Sequence, residues 1–132
     1  MSKWLNSLQP LGALVLRLAL GLSMIVHGYQ KVVPHGALSH YAHYIVTLGI
    51  PYWLGYVSAY TEFIGGMFLA MGLLTRFAAA LVAINMLVAL FTVGIHQGFG
   101  IYNYVIALAA IAIMLVVYGA GAVALDRKIG FA

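Results

Sequence analysis

The chain has 132 residues, of which 65% are hydrophobic and only 6% are charged, and its formal net charge at pH 7 is +4. Side chains this poor in charge cannot cover a soluble domain, in which about 25% of residues are charged. The absence of cysteine excludes disulfides, thiolate nucleophiles and dithiol redox relays, and the lack of any basic cluster argues against nucleic acid as a partner. The composition therefore predicts a single membrane domain over residues 1–132.

Four apolar stretches follow one another, separated by short breaks, and they cover residues 11–33, 53–74, 77–95 and 102–124. Each is close to the roughly 20 residues that a helix needs to cross a hydrocarbon core of about 30 Å. Thr75 precedes the third stretch and is a residue type that caps helix starts. The predicted fold class is an all-α integral membrane four-helix bundle whose surface contacts the lipid bilayer.

The stretch from His35 to Gly49 lies between the first two spans and is too short to cross a bilayer. Histidines alternate in it with apolar or aromatic residues. The histidines are His40 and His43, and the other residues are Tyr41, Tyr44, Ile45 and Leu48. This pattern is typical of a short helix lying on a membrane surface. We therefore expect an interfacial helix between the first two spans.

Basic residues are unequally divided between the two sides that four crossings define. One side would carry Lys31 alone, and the other side, with both termini, would carry Lys3, Arg76, Arg127 and Lys128. Because Lys and Arg accumulate on the cytoplasmic side of membrane proteins, we expect both termini to be cytoplasmic.

Glu62 lies near the middle of the second span, and ionisable groups at such a depth usually face the interior of a bundle. Ser58, Gly65 and Gly66 share its helical face. One interpretation is a structural carboxylate that is paired within the bundle. The other is a catalytic carboxylate that exchanges a proton with a bound redox ligand.

The first span places both of its cationic residues on one face, which is occupied by Arg17, Gly21, Met24, Gly28 and Lys31. We expect this face to point inward. Because a guanidinium has a long reach, a contact between Arg17 and Glu62 is the preferred pairing, and a contact between His27 and Glu62 is the second choice.

The third and fourth spans each carry a stripe of small or polar residues. Together with Ser58 these stripes suggest a small polar cavity, and the candidate cofactor-binding residues are Ser58, Asn85, Thr92, His96 and Tyr118. Tight packing of helices in lipid also selects small residues, so packing alone remains an alternative explanation.

All five histidines fall at or near the predicted outer face, at positions 27, 35, 40, 43 and 96. Imidazoles grouped in this way could bind a metal or haem, or could shuttle protons near neutral pH. The favoured interpretation is an amphipathic belt beside the tyrosines, because no HxxxH or HExxH motif is present. We therefore assign no metal ligands.

In the order and spacing of its motifs the chain resembles the DoxX family of four-helix membrane proteins. The resemblance runs from about Leu11 to Asp126 and rests on Arg17, Gly21, His27-Gly28, Lys31, Gly49-Ile50-Pro51, Glu62-Phe63-Ile64-Gly65-Gly66, Gly72-Leu73-Leu74-Thr75-Arg76, Gly119-Ala120-Gly121 and Leu125-Asp126. It implies a prokaryotic inner-membrane protein, in a family of which some members are linked to thiosulfate:quinone oxidoreductase or other quinone-dependent systems.

The resemblance leads to a hypothesis of a quinone-interacting redox subunit, in which Glu62, Arg17 and His27 are the catalytic candidates. A quinone needs an apolar slot and one or two proton-exchanging groups. Any electron source would be a partner protein or an unrecognised cofactor. Two alternatives stay open: a non-catalytic scaffold for a redox or stress-response partner, and a pathway for protons or small solutes.

We also expect association with a second copy or a redox partner, because small-residue sites would let another helix approach.

Overall fold

A computed structural model describes residues 1–131 of the chain. The helices are α1 (Ser2–Ser7), α2 (Gln9–Val32), α3 (Ala37–Val46), α4 (Tyr52–Met71), α5 (Thr75–Ala89), α6 (Ile95–Gln97), α7 (Phe99–Tyr118) and α8 (Leu125–Ile129). A π-helical turn, Leu90–Gly94, joins α5 to α6 without a break. Within residues 1–131 there is no strand, so the predicted all-α class is confirmed.

Among the described residues, three segments are long and apolar enough to cross a membrane: Gln9–Val32, Thr75–Gln97 and Phe99–Tyr118. Helix α4 has 20 residues, which at about 1.5 Å per residue gives it a comparable length. It is less apolar because it carries polar residues such as Ser58, Thr61 and Glu62. It packs against both α2 and α5 and so completes a bundle of four long helices. The chain is a helical membrane protein.

Helices α2 and α4 approach each other closely at glycines. A Cβ atom on Gly28 would collide with the backbone of Phe63, and one on Gly66 would lie 2.8 Å from the carbonyl oxygen of Gly21. Small residues at a crossing allow the backbones of membrane helices to come into contact. This contact fixes the register of the two helices and sets Phe63 level with Gly28.

The apolar core occupies only one half of the bundle. Its largest buried side chains are Leu20, Met24, Leu69, Val82 and Leu115. They are surrounded by buried alanines of α5 and α7, which allow close helix packing. The other half of the bundle, next to α3, is not filled in this way and contains the cavity described below.

Both termini lie at the same end of the bundle, which we call the terminal end. The backbone N–H of Ala122, beyond α7, donates a hydrogen bond of 3.0 Å to the carbonyl of Pro10 at the start of α2. Helix α7 ends at Tyr118, six residues before the predicted limit of the fourth span. The helix cannot continue because Gly119 and Gly121 have φ values of 99° and 76°. That the terminal end is cytoplasmic stays a prediction.

Helix α3 covers the opposite end, which we call the α3 end. The predicted helix between the first two spans is therefore present, but it is packed into the protein and does not merely lie on its surface. Ala42 and Ile45 are buried, and Ala42 lies directly against Gly55 of α4.

Candidate functional site

A cavity of about 660 Å³ lies between α2, α3, α4, α5 and α7 in the half of the bundle nearest α3. Most of its wall is apolar, and the π-helical turn contributes part of it. The polar side chains in the wall include His27, Lys31, Tyr41, Ser58, Glu62, Asn85, Thr92 and Tyr104. A few polar groups in an otherwise apolar pocket are typical of sites that orient a small ligand.

Glu62 is at the centre of the polar wall and is 3% exposed. The Nζ atom of Lys31 donates to both carboxylate oxygens, at 2.9 Å to Oε1 and 2.8 Å to Oε2. The amide Nδ2 of Asn85 donates to Oε1 at 3.0 Å. The Lys31 ammonium also lies 4.3 Å from the ring centroid of Tyr41, a distance at which a cation and an aromatic face attract each other.

Tyr41, Ser58 and Asn85 are linked by hydrogen bonds, and each of them donates to the next group in the direction of Glu62. Because a carboxylate only accepts, Asn85 presents its NH₂ group to Glu62 and its carbonyl oxygen to Ser58. Ser58 Oγ donates to that oxygen at 2.6 Å, which leaves Ser58 to accept from the Tyr41 hydroxyl at 3.0 Å. Tyr41, Ser58 and Asn85 thus form a chain of donors that ends on the buried carboxylate and stabilises its negative charge.

A second polar group faces the same cavity from α2 and α7. His27 Nδ1 lies 2.6 Å from the backbone carbonyl of Ser23, which fixes the proton on that nitrogen. The Tyr104 hydroxyl lies 3.3 Å from His27 Nε2 and 2.8 Å from Ser23 Oγ. With the proton on Nδ1, Nε2 is the ring nitrogen that can accept a hydrogen bond, and the Tyr104 hydroxyl is its donor.

The structure brings together five of the eight candidate site residues, since His27, Ser58, Glu62, Asn85 and Thr92 all line the cavity. The expectation that Glu62 faces the bundle interior is confirmed. Their roles in catalysis or cofactor binding remain predictions.

The predicted contact between Arg17 and Glu62 is wrong. Arg17 is 1% exposed, but its guanidinium donates to the carbonyls of Ala120, Ala122 and Val123 at the terminal end, at 2.7, 3.2 and 2.6 Å. The register between α2 and α4 explains the error. Eleven residues, or about 16 Å of helix, separate Arg17 from the part of α2 that lies beside Glu62.

The other predicted placements also need correction. His27 bonds to Ser23 and Tyr104, whereas Glu62 bonds to Lys31 and Asn85, so the direct pairing of His27 with Glu62 is wrong as well. Two further candidates lie away from the cavity. His96 is exposed on α6, and Tyr118 packs against the core at the other end of the bundle.

Sequence reasoning missed Lys31, Tyr41 and Tyr104 as parts of the site. Lys31 was expected on the inward face of α2 together with Gly28, but it was not considered as a partner of Glu62. Tyr41 was expected only on a helix at the membrane surface, and Tyr104 was not among the candidate site residues. No sequence pattern shows that the α3 segment folds back over the bundle, and this folding is what brings Tyr41 to the cavity.

The terminal end is held by a second buried polar cluster, which we call the terminal latch and which comprises Arg17, Asp126 and residues 119–124. Asp126 accepts hydrogen bonds from the backbone N–H groups of Leu74 and Thr75, at 2.6 and 2.8 Å. Asp126 therefore caps α5, and the predicted side-chain cap from Thr75 is not formed. A carboxylate at this position also interacts favourably with the helix dipole.

Two of the five histidines belong to a smaller cavity of about 550 Å³ beside α3. It is lined by His35 and His40, and it shares Lys31 and Tyr41 with the larger cavity. Within residues 1–131, no three His, Cys, Asp or Glu side chains are grouped closely enough to hold a metal ion.

The family model described as DoxX matches residues 12–96, which is more than half of the chain and includes Lys31, Glu62 and Asn85. The chain belongs to the DoxX family. A relative from Bacillus subtilis (strain 168), named "Putative oxidoreductase CatD", is 30% identical over 115 residues, which cover 84% of this chain and 83% of the relative. No solved structure matches the chain.

In this DoxX protein the cavity combines an apolar slot with groups of opposite hydrogen-bonding character. Lys31 and Asn85 are donors, Glu62 and His27 Nε2 are acceptors, and the Tyr104 hydroxyl can be either. Such a site can orient a flat polar ring between two walls. Glu62 and His27 can also exchange protons with it.

Proposed function

We propose that this DoxX protein is the membrane subunit of a redox system and that it binds a quinone in the cavity between its helices. The observation that carries the proposal is the ion pair between the buried Glu62 and the partly buried Lys31, which lies with Asn85 in the wall of an apolar cavity of about 660 Å³. A charged pair within a membrane bundle is costly and is usually retained for function. The membrane location and the relative named as an oxidoreductase also support a redox role.

The residues of the cavity fit the chemistry of a quinone ring. Lys31 and Asn85 can donate hydrogen bonds to one carbonyl oxygen, and the Tyr104 hydroxyl can donate to the other if it turns away from His27 Nε2. A bound quinone would accept two electrons and two protons on reduction. Glu62 and His27 Nε2 can take up the protons of a quinol, and in the direction of quinone reduction each can supply a proton once it has itself been protonated, while the apolar wall excludes bulk water from them.

The proposal includes a partner protein as the electron donor. The chain has no cysteine and supplies no recognised electron carrier of its own. We place this protein in the cell membrane, and in bacteria this is the inner membrane. Association with a second copy is an alternative that is compatible with the same site.

A proton pathway is the second candidate function, and one observation favours it. Lys31 and Tyr41 line both the large cavity and the smaller one that contains His35 and His40. Protons could therefore pass from the α3 end to Glu62 by way of His35 and His40 and then of Tyr41 and Lys31. A pathway of this kind requires no quinone.

Replacing Asn85 with alanine tests whether the cavity binds a quinone. We expect Asn85→Ala to weaken the binding of a short-chain quinone about tenfold, because it removes one hydrogen-bond donor and part of the support of Glu62. The matched control is Asn103→Ala, since Asn103 is exposed on α7 and bonds only locally to the carbonyl of Phe99. Isothermal titration calorimetry on protein in lipid nanodiscs would give both affinities. Equal affinities for the two variants, or no binding to the unaltered protein, would contradict the proposed function.

A further inference from the structure

We infer that the ligand of the cavity is a membrane-resident molecule with a long hydrocarbon tail, and that this tail leaves the cavity between α4 and α5. The inference rests on the proposed function, because it takes the polar ring of the ligand to lie at Glu62. Beyond the proposed function, it states that the quinone carries a long hydrocarbon tail and where this tail leaves the protein. We call this exit the α4–α5 seam and define it by Val57, Leu81, Ile84 and Val88.

The four residues of the seam share two properties. Each lines the cavity, and each is also exposed on the outer surface of the protein, at 49% for Val57, 41% for Leu81, 60% for Ile84 and 45% for Val88. A residue that lines the cavity and is also exposed on the outer surface lies at the rim of an opening. Because all four are apolar and belong to the long helices, the opening faces the hydrocarbon part of the bilayer.

Three other walls of the cavity are less suited to a hydrocarbon chain. Between α2 and α7 the wall is bridged by the hydrogen bonds of Tyr104 to Ser23 and His27. At the α3 end the cavity adjoins the polar space beside His35 and His40. Toward the terminal end the core is close-packed. Asn85 also bonds to Ser58 and Glu62 between α4 and α5, so the polar ring would lie against these groups and the tail would leave over the apolar side chains of the seam on their outer side.

The size of the cavity shows why a tail would need an exit. A volume of about 660 Å³ lies within the range of roughly 300–1,000 Å³ that holds drug-sized molecules. It can contain a substituted ring and the first carbons of a tail, but not a tail of many isoprenoid units. Since lipid tails are as apolar as the seam itself, a tail that leaves through it passes into the bilayer with little change in free energy.

Narrowing the seam tests this inference. We expect Ile84→Trp to weaken binding of a quinone with a long isoprenoid tail about tenfold, because the larger side chain obstructs the opening. Binding of the same ring without a tail should change less than about twofold, since it fits inside the cavity. The matched control is Ile113→Trp, because Ile113 is 47% exposed on α7 and does not line the cavity. Both affinities would be measured in nanodiscs, with circular dichroism to confirm folding.

A photo-crosslinking experiment on the unaltered protein tests the same inference without the substitution Ile84→Trp. A long-tailed quinone with a diazirine on its tail should label residues 57–61 and 81–88, as mapped by mass spectrometry. Equal losses for both quinones in Ile84→Trp, no loss for either, or labelling confined to α2 and α7 would overturn the inference. If the unaltered protein binds neither quinone, the proposed function fails and the inference fails with it.

Discussion

Replacing Lys31 with methionine is expected to lower the free energy of unfolding by about 3 kcal/mol. The reason is that Glu62 would be left buried without its counterion. Methionine resembles the lysine stem in length, so little packing is lost with the charge. Unfolding of the purified protein in mixed micelles, followed by circular dichroism, would measure the change.

Two further variants isolate the contribution of charge. Lys128→Met removes an exposed cation and should change the free energy of unfolding by less than about 0.5 kcal/mol. The double variant Lys31→Met/Glu62→Met should be more stable than Lys31→Met alone, because replacing both partners of a buried pair removes the uncompensated charge. If Lys31→Met behaves like Lys128→Met, or if the two cavity substitutions are simply additive, the ion pair does not have the role described here.

The second large effect is expected at the terminal latch. Arg17→Met should cost about 3 kcal/mol or more, because three carbonyl groups of the buried loop after α7 lose their donor. Arg17→Lys should recover only part of the loss, since one ammonium cannot reproduce the planar fork of the guanidinium. Asp126→Asn should cost about 1–2 kcal/mol, because it weakens the charged cap on α5.

Arg76→Met is the matched control for the latch. Arg76 is exposed and makes one hydrogen bond of 3.2 Å to the carbonyl of Tyr118, so its loss should cost less than about 0.5 kcal/mol. Quinone affinity should stay within about twofold of the unaltered protein in Asp126→Asn, because the latch and the cavity lie at opposite ends of the bundle. Arg17→Met and Arg76→Met with equal stability would contradict the assignment of the latch.

Hydropathy was sufficient to predict the helical class. The free energy of transferring an apolar stretch into a bilayer depends on the composition and length of that stretch, and not on its contacts with the rest of the chain. It also placed Glu62 inside the bundle, since a charge at that depth has no other favourable position. The end of α7 was predicted six residues too late. Gly119 and Gly121 are apolar by composition, and their positive φ values come from the loop that Arg17 holds.

The pairing of charges could not be predicted because it depends on how one helix slides along another. The contact of Gly28 with Phe63 sets Glu62 beside Lys31 and far from Arg17. The sequence shows that the facing sides of α2 and α4 are both rich in small residues. Several positions of one helix along the other would satisfy that pattern. The position of Tyr41 depends in the same way on how α3 packs against α4, through Ala42 and Gly55.

The most direct test of the central claim is the quinone content of the purified protein. Protein extracted with its surrounding lipid into polymer nanodiscs would be analysed by mass spectrometry for quinone, phospholipid and protein. We expect on the order of one quinone per chain, enriched over the quinone-to-phospholipid ratio of the membrane, since such sites are few per protein. We also expect Lys31→Met to lose that enrichment. A ratio equal to that of the surrounding membrane in the unaltered protein would contradict the claim that the cavity binds a quinone.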